Sequence, residues 1–304
     1  MRIRDRLFGD EPVFSFEFFP PRDREGEAQL LRAIDDLLPL DPDFVSITYG
    51  AAGSTRLRTV DLARRLSADL GLEVMAHVTC VGHSADELRE LLADLEEAGI
   101  ENVLALRGDP PKGSAAFVPA PEGFRHASDL VRFIRGEGFR FCLGGACYPE
   151  GHLEAPSREE DLRHLKEKIA AGLDFAITQL FFDNAFYFDF VERCRRAGIH
   201  VPIVPGIMPL TNYDQVERFT RECGATIPRR LQLEAERVRD DPAAVARLGV
   251  AHAVGQCEEL LARGAPGIHF YTLNRSPAAR LVLTALRGGV RPHAAEEAEA
   301  NPLP

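Results

Sequence analysis

The sequence predicts an α/β fold, a (β/α)8 TIM barrel with extra helices between the seventh and eighth strands. Three observations carry that expectation: eight short β-branched or aromatic runs, a helical pattern after each, and the lack of any GxGxxG or P-loop turn. Strands separated by helices pair in parallel, and eight such units are the number that closes a barrel. An open doubly wound sheet is the competing architecture. When such a sheet binds dinucleotides it usually shows the glycine-rich turn that is missing here.

The strand-like runs are residues 13–19 (VFSFEFF), 44–50 (FVSITYG), 74–80 (VMAHVTC) and 102–108 (NVLALRG). They continue at 140–148 (RFCLGGACY), 175–182 (FAITQLFF), 201–207 (VPIVPGI) and 267–273 (GIHFYTL). Between them apolar residues recur at spacings of three and four. Residues 84–99 open with Ser84, place Glu87 three positions on as in a capping box, and close with Gly99. Residues 157–172 repeat the scheme with Ser157, Glu160 and Gly172. A charged stretch at 228–264 reads as two or three inserted helices, and 289–304 as a frayed tail after a single barrel domain at 1–288.

Composition narrows the function. Forty-five per cent hydrophobic residues support a full core, and a net charge of −11 with a pI near 5.4 leaves no dense basic run. Nucleic acid and anionic membrane surfaces are therefore poor partners. No apolar stretch approaches the ~20 residues of a membrane span, and MRIRDRLFGD lacks the apolar centre of a signal peptide, so a cytoplasmic protein is expected. Six scattered cysteines without a CxxC pair read as reduced thiols, and nine histidines form no ligand cluster, so no metal is expected.

In this fold the active site forms at the carboxyl ends of the strands, and polar residues collect there. Thr48 and Tyr49 end the second run, His77 and Thr79 sit in the third, and Arg107, Gly108 and Asp109 end the fourth. Ala146, Tyr148 and His152 follow in and after the fifth, Gln179 lies late in the sixth, and Tyr271 to Arg275 end the eighth. Singly, each has a structural explanation: His77 as a hydrogen-bonded core histidine, Arg107 and Asp109 as an ion pair. Gathered at one rim, they point to a site. Glu17 stands out within an aromatic run. Alternation puts Phe14, Phe16 and Phe18 on one face and Ser15, Glu17 and Phe19 on the other. If the phenylalanines meet the helices, Glu17 points into the barrel, where burial disfavours a charged carboxylate and suits a general acid.

The motifs FSFEFFPPR, VSITYGA, AHVTC, LALRGDPP, YPEGH, AITQLFFD, PGIMP and HFYTLNR, in this order, closely resemble bacterial methylenetetrahydrofolate reductases, from roughly Arg2 to Leu286. The resemblance implies a (β/α)8 flavoprotein with non-covalent FAD. It also implies reduction of 5,10-methylenetetrahydrofolate to 5-methyltetrahydrofolate by NADH or NADPH, feeding methionine synthesis, and a homodimer or homotetramer. Carried over by motif, Glu17 matches the general acid, with Asp109 stabilising positive charge on the folate. Thr48, Tyr49, His77, Leu106, Arg107, Gly108, Asp109, Ala146, Tyr148 and His152 match FAD-holding positions. Asp161, His164 and Lys168, which share one helix face, correspond to contacts with the ribose and phosphate part. Gln179, Arg22, Tyr213, Tyr271 and Arg275 resemble substrate-side positions. Tyr213 stands where some relatives carry phenylalanine, and Glu167 where some carry arginine.

Three alternatives are weighed. A Schiff-base lyase needs a lysine at a strand end, yet the chain has only Lys112, Lys166 and Lys168, none in a strand run. Another flavoprotein of the superfamily, proline dehydrogenase-like, would leave the Glu17 motif unexplained. The third is a flavin-free relative or a non-catalytic folate-binding or scaffold protein; a yellow protein bleached by NADH and re-oxidised by methylenetetrahydrofolate would favour the reductase over all three.

Overall fold

The computed structural model describes residues 1–21, 23–49, 56–109 and 117–289. Nine strands form one all-parallel sheet: β1 (Val13–Phe18), β2 (Phe44–Ile47), β3 (Val74–Thr79), β4 (Asn102–Leu106), β5 (Cys142–Cys147), β6 (Phe175–Thr178), β7 (Ile203–Val204), β8 (Gly206–Ile207) and β9 (Gly267–Tyr271). The strand order is β7-β6-β5-β4-β3-β2-β1-β9-β8. The two edges, β7 and β8, are consecutive in the chain and joined by Pro205, so the sheet closes on itself as the expected barrel. The seventh run is split because proline has no N–H for the ladder. The Pro205 carbonyl still accepts from the His269 amide at 3.0 Å.

Helices surround the strands: α2 (Arg24–Leu37), α3 (Arg56–Leu70), α4 (Ala85–Glu97), α5 (Ala127–Gly136), α6 (Arg158–Ala170) and α7 (Asn184–Arg196). The capping box before α4 is present: the Ser84 hydroxyl accepts from the Glu87 amide at 3.3 Å, and the Glu87 carboxylate accepts from the Ser84 amide at 2.8 Å. Ser157 starts α6 in the same way, accepting from the Glu160 amide at 3.2 Å. After β8 come α8 (Tyr213–Cys223), α9 (Arg229–Arg237), α10 (Pro242–Ala262) and, beyond β9, α11 (Pro277–Gly289). The 228–264 stretch thus makes two helices. The second, α10, packs against α7 and α11 and completes the outer ring. Residues 290–304, the expected tail, lie outside the described residues.

The core has three parts. Outward-facing strand residues such as Phe14, Phe16, Phe18, Val45, Val103 and Phe270 pack with Leu30, Ile34, Leu91, Leu130 and Leu283 of the helices. Inside the barrel's amino end, Val13, Phe44, Met75, Leu104, Phe175 and Val204 pack with Ile3 and Leu7 of a short helix, α1 (Ile3–Leu7). Asn102 ties that plug down, accepting from the Ile3 amide at 2.9 Å and donating to the Met1 carbonyl at 3.0 Å. A third cluster, including Leu180, Phe182, Met208, Leu210, Tyr213 and Leu231, seats α8 and α9 beside the carboxyl end. One end of the barrel is therefore closed by apolar packing, which leaves the other for chemistry.

Candidate active site

The strand alternation holds. Phe14, Phe16 and Phe18 enter the helix-facing core, while Ser15 and Glu17 point to the barrel axis. Parallel registers set Ser15 opposite Phe44 and His269, and Glu17 opposite Ser46 and Tyr271. Glu17 is 8% exposed. Its Oε2 lies 3.6 Å from Nε2 of His77 on β3 and 3.6 Å from Nε2 of His269 on β9. His269 Nδ1 is 2.8 Å from the Ser15 hydroxyl. Nε2 of His77 is buried with no hydrogen-bond partner.

Desolvation pushes His77 down from 6.5 to about 4, against a smaller opposing effect of Glu17. The ring is therefore neutral near pH 7, and its approach to Glu17 is not an ion pair. This gives stability a pH dependence. Between 6.5 and about 4 the unfolded chain takes up a proton that folded His77 refuses, so stability falls as the pH drops through that window. The contribution is at most about 3 kcal/mol. Thermal denaturation across this range should show a shallower loss for His77→Gln than for the unsubstituted chain.

Glu17 forms part of the lining of a cleft of about 440 Å³ at the carboxyl end of the strands. Thr48, His77, Leu106, Arg107, Gly108, Asp109, Ala146, Tyr148, His152, Gln179 and Tyr271 line it too. A second cavity of about 200 Å³ shares Leu106, Arg107, Ala146, Tyr148 and His152 with the first, and continues to Asp161, His164 and Lys168 of α6. The two make one trough from the barrel axis to the α6 face. At their junction Arg107 pairs with Glu154 at 2.9 Å and lies 5.0 Å from the centre of the Phe117 ring. Tyr148 and His152 meet edge to face at 4.7 Å. The Lys168 ammonium donates to the Ala146 carbonyl. Burial lowers the pKa of Lys168 and raises that of Asp161, the mutual attraction of the pair opposing both shifts.

Gly108 has φ +84°, and a Cβ there would meet Val81 Cγ1 at 2.5 Å. Gly108→Ala should lower stability by about 1–3 kcal/mol through backbone strain and contact. A melting curve checks this, and an unchanged Tm would show that the turn tolerates a side chain.

Several expected residues lie elsewhere. Tyr49 turns to the helix-facing core, its hydroxyl 3.0 Å from His83 Nε2. Tyr213 packs in the cluster under α8, with the Arg239 guanidinium 5.6 Å from its ring centre. Arg275 is exposed and lines a neighbouring apolar cavity of about 570 Å³, which shares Met208, Tyr271 and Leu273 with the cleft. Arg22 lies outside the described residues. The structure also adds residues. Phe219 and Cys223 of α8 reach the cleft, and His269 and Ser15 stand behind Glu17. The inward alternation from Tyr271 back to His269 was the signal available for the last pair.

The family model described as methylenetetrahydrofolate reductase matches residues 2–287. The chain is 41% identical over 278 residues to 5,10-methylenetetrahydrofolate reductase of Escherichia coli, covering 91% of each chain. It is 39% identical over 295 residues to a probable methylenetetrahydrofolate reductase (NADH) of Oryza sativa, covering 94% of this chain and 50% of that one. The chain thus spans about half the length of the curated plant relatives it matches. Among solved structures, an uncharacterized protein from Clostridium thermocellum that binds two copies of 5-methyl-5,6,7,8-tetrahydrofolic acid superposes with a TM-score of 0.62. Identity to it is 19%, with 94% of this chain and 97% of that chain covered, so the likeness is one of fold.

Proposed function

The chain belongs to the methylenetetrahydrofolate reductase family, and from that premise we propose that it reduces 5,10-methylenetetrahydrofolate to 5-methyltetrahydrofolate with NADH or NADPH, using bound FAD. The observation that carries this reading is the buried Glu17 carboxyl in a cleft whose lining continues, through Arg107, Tyr148 and His152, into a second cavity reaching Asp161, His164 and Lys168 of α6.

The residues present suit FAD. Arg107 offers a charge at the junction, and Lys168 another beside α6. His77 Nε2 and Thr79 Oγ1 are buried without partners, and the Gly108 backbone admits no side chain. Leu106, Ala146, Tyr148 and His152 would wall the middle of the coenzyme, with Asp161 and His164 at its far end. When bound, FAD supplies a two-electron carrier between the nicotinamide and the folate.

The chain's own residues do the rest. Glu17, buried at the axial end of the cleft, is placed to give a proton to a nitrogen of the methylene bridge, so that the bridge opens to an iminium able to accept hydride. Asp109, exposed at the mouth, offers negative charge to that cation. The two carboxyls thus take different roles through different surroundings. Gln179 and Tyr271 line the same cleft and orient whichever substrate is present, and Phe219 adds an aromatic wall. One cleft serving donor and acceptor in turn implies ping-pong kinetics. Initial rates with both substrates varied should give parallel double-reciprocal lines, and intersecting lines would argue for simultaneous occupancy. The product is a methyl donor for methionine synthesis, and a homo-oligomeric cytoplasmic enzyme completes the proposal.

A further inference from the structure

We propose that His269, held by Ser15, is a positioning residue that fixes the Glu17 carboxyl for proton donation; this rests on the reading of Glu17 as the acid. His269 is 1% exposed and does not line the cleft, so it can act there only through another residue. Its ring is clamped on three sides. Phe44 stacks on it at 6.1 Å with 14° between planes, Tyr271 meets it edge-on at 5.3 Å, and the Ser15 hydroxyl is 2.8 Å from Nδ1. Register fixes the last contact, because Ser15 and His269 are direct partners across β1 and β9.

What remains is Nε2, 3.6 Å from Glu17 Oε2. That gap exceeds a hydrogen bond, yet catalytic contacts often tighten only when substrate is bound. A buried imidazole costs free energy that an apolar side chain of similar size would not. Ser15 can serve either neutral tautomer, since its hydroxyl can donate to Nδ1 or accept from it. Nε2 can therefore donate to the carboxylate or accept from the acid form. His77 faces Glu17 from β3, Tyr271 from β9, Ser46 stands on β2 and Thr48 just beyond its end, but His77 Nε2 has no hydrogen-bond partner in its recess. His269 is the anchored wall of the site.

The test uses the FAD-loaded full chain and its His269→Ala, His269→Gln, Ser15→Ala and Glu17→Gln variants. Rapid mixing separates flavin reduction by NADH from reoxidation by methylenetetrahydrofolate. The infrared carboxyl band of Glu17, assigned by its loss in Glu17→Gln, reports the acid directly. In His269→Ala, reoxidation should slow by about 10–100-fold through loss of alignment, with flavin reduction changing far less. Its pH midpoint and the Glu17 band should both move. Ser15→Ala should show the same pattern more weakly, and glutamine, whose amide nitrogen can replace Nε2, should restore part of it. These variants also carry the test if the alanine protein fails to fold. Wild-type reoxidation, pH profile and band in the His269 and Ser15 variants, with Glu17→Gln slow, would overturn the inference alone. Normal turnover in Glu17→Gln would overturn it together with the reading beneath it.

Discussion

Replacing Glu17 by glutamine should leave a protein that keeps FAD and still oxidises NADH, but reduces methylenetetrahydrofolate about 10²–10⁴-fold more slowly, the usual contribution of a positioned general acid. Glutamine preserves the volume of the side chain, so the packing around β1 should survive. What it lacks is the proton needed to open the methylene bridge. Transfer from NADH to the flavin calls for no such proton donor on the folate side, so the two half-reactions should separate. Single-turnover measurements of each check this. Equal slowing of both would indicate a disturbed cleft rather than a missing acid, and unimpaired folate reduction would remove Glu17 from the mechanism.

Arg107→Ala should weaken FAD binding by about 10–100-fold, the range expected when one charge-assisted hydrogen bond is lost. Arg107 lies where the two cavities join, and its guanidinium is held there by Glu154 and by the Phe117 ring. The Glu154 side chain is 53% exposed, so losing that pair should hardly change the Tm of the apoprotein. Coenzyme affinity and stability should therefore separate, as a flavin fluorescence titration beside a melting curve can show. Arg107→Lys should recover only part of the affinity, since a point charge cannot reproduce the planar fork. Unaltered affinity in Arg107→Ala would place the phosphates elsewhere.

Much of this site was legible because a strand has a period of two. The alternation in FSFEFF alone sent Glu17 to the axis, while His77, Ala146 and Tyr271 were marked by their places in or at the carboxyl ends of strand runs. The barrel followed from counting strand and helix units, and the cap of α4 from Ser84 and Glu87. What escaped was decided by packing across distant segments. Helix α1 has only five residues, too few to show a period, and it is fixed by side chains near Asn102. On α8, Tyr213 and Phe219 are both aromatic. Six residues put them roughly 240° apart around the axis, so only one can face the cleft, and neighbouring apolar groups claim Tyr213. His269 was obscured because it sits below the rim and does not line the cleft, meeting it only through neighbours that do, Glu17 and Tyr271.

The visible spectrum of the purified protein under anaerobic conditions tests the central claim most directly. A yellow protein that NADH bleaches, and whose colour returns on adding 5,10-methylenetetrahydrofolate with formation of 5-methyltetrahydrofolate, is the predicted result. A protein that takes up no FAD, or one that bleaches but stays bleached in the presence of the folate, would contradict it.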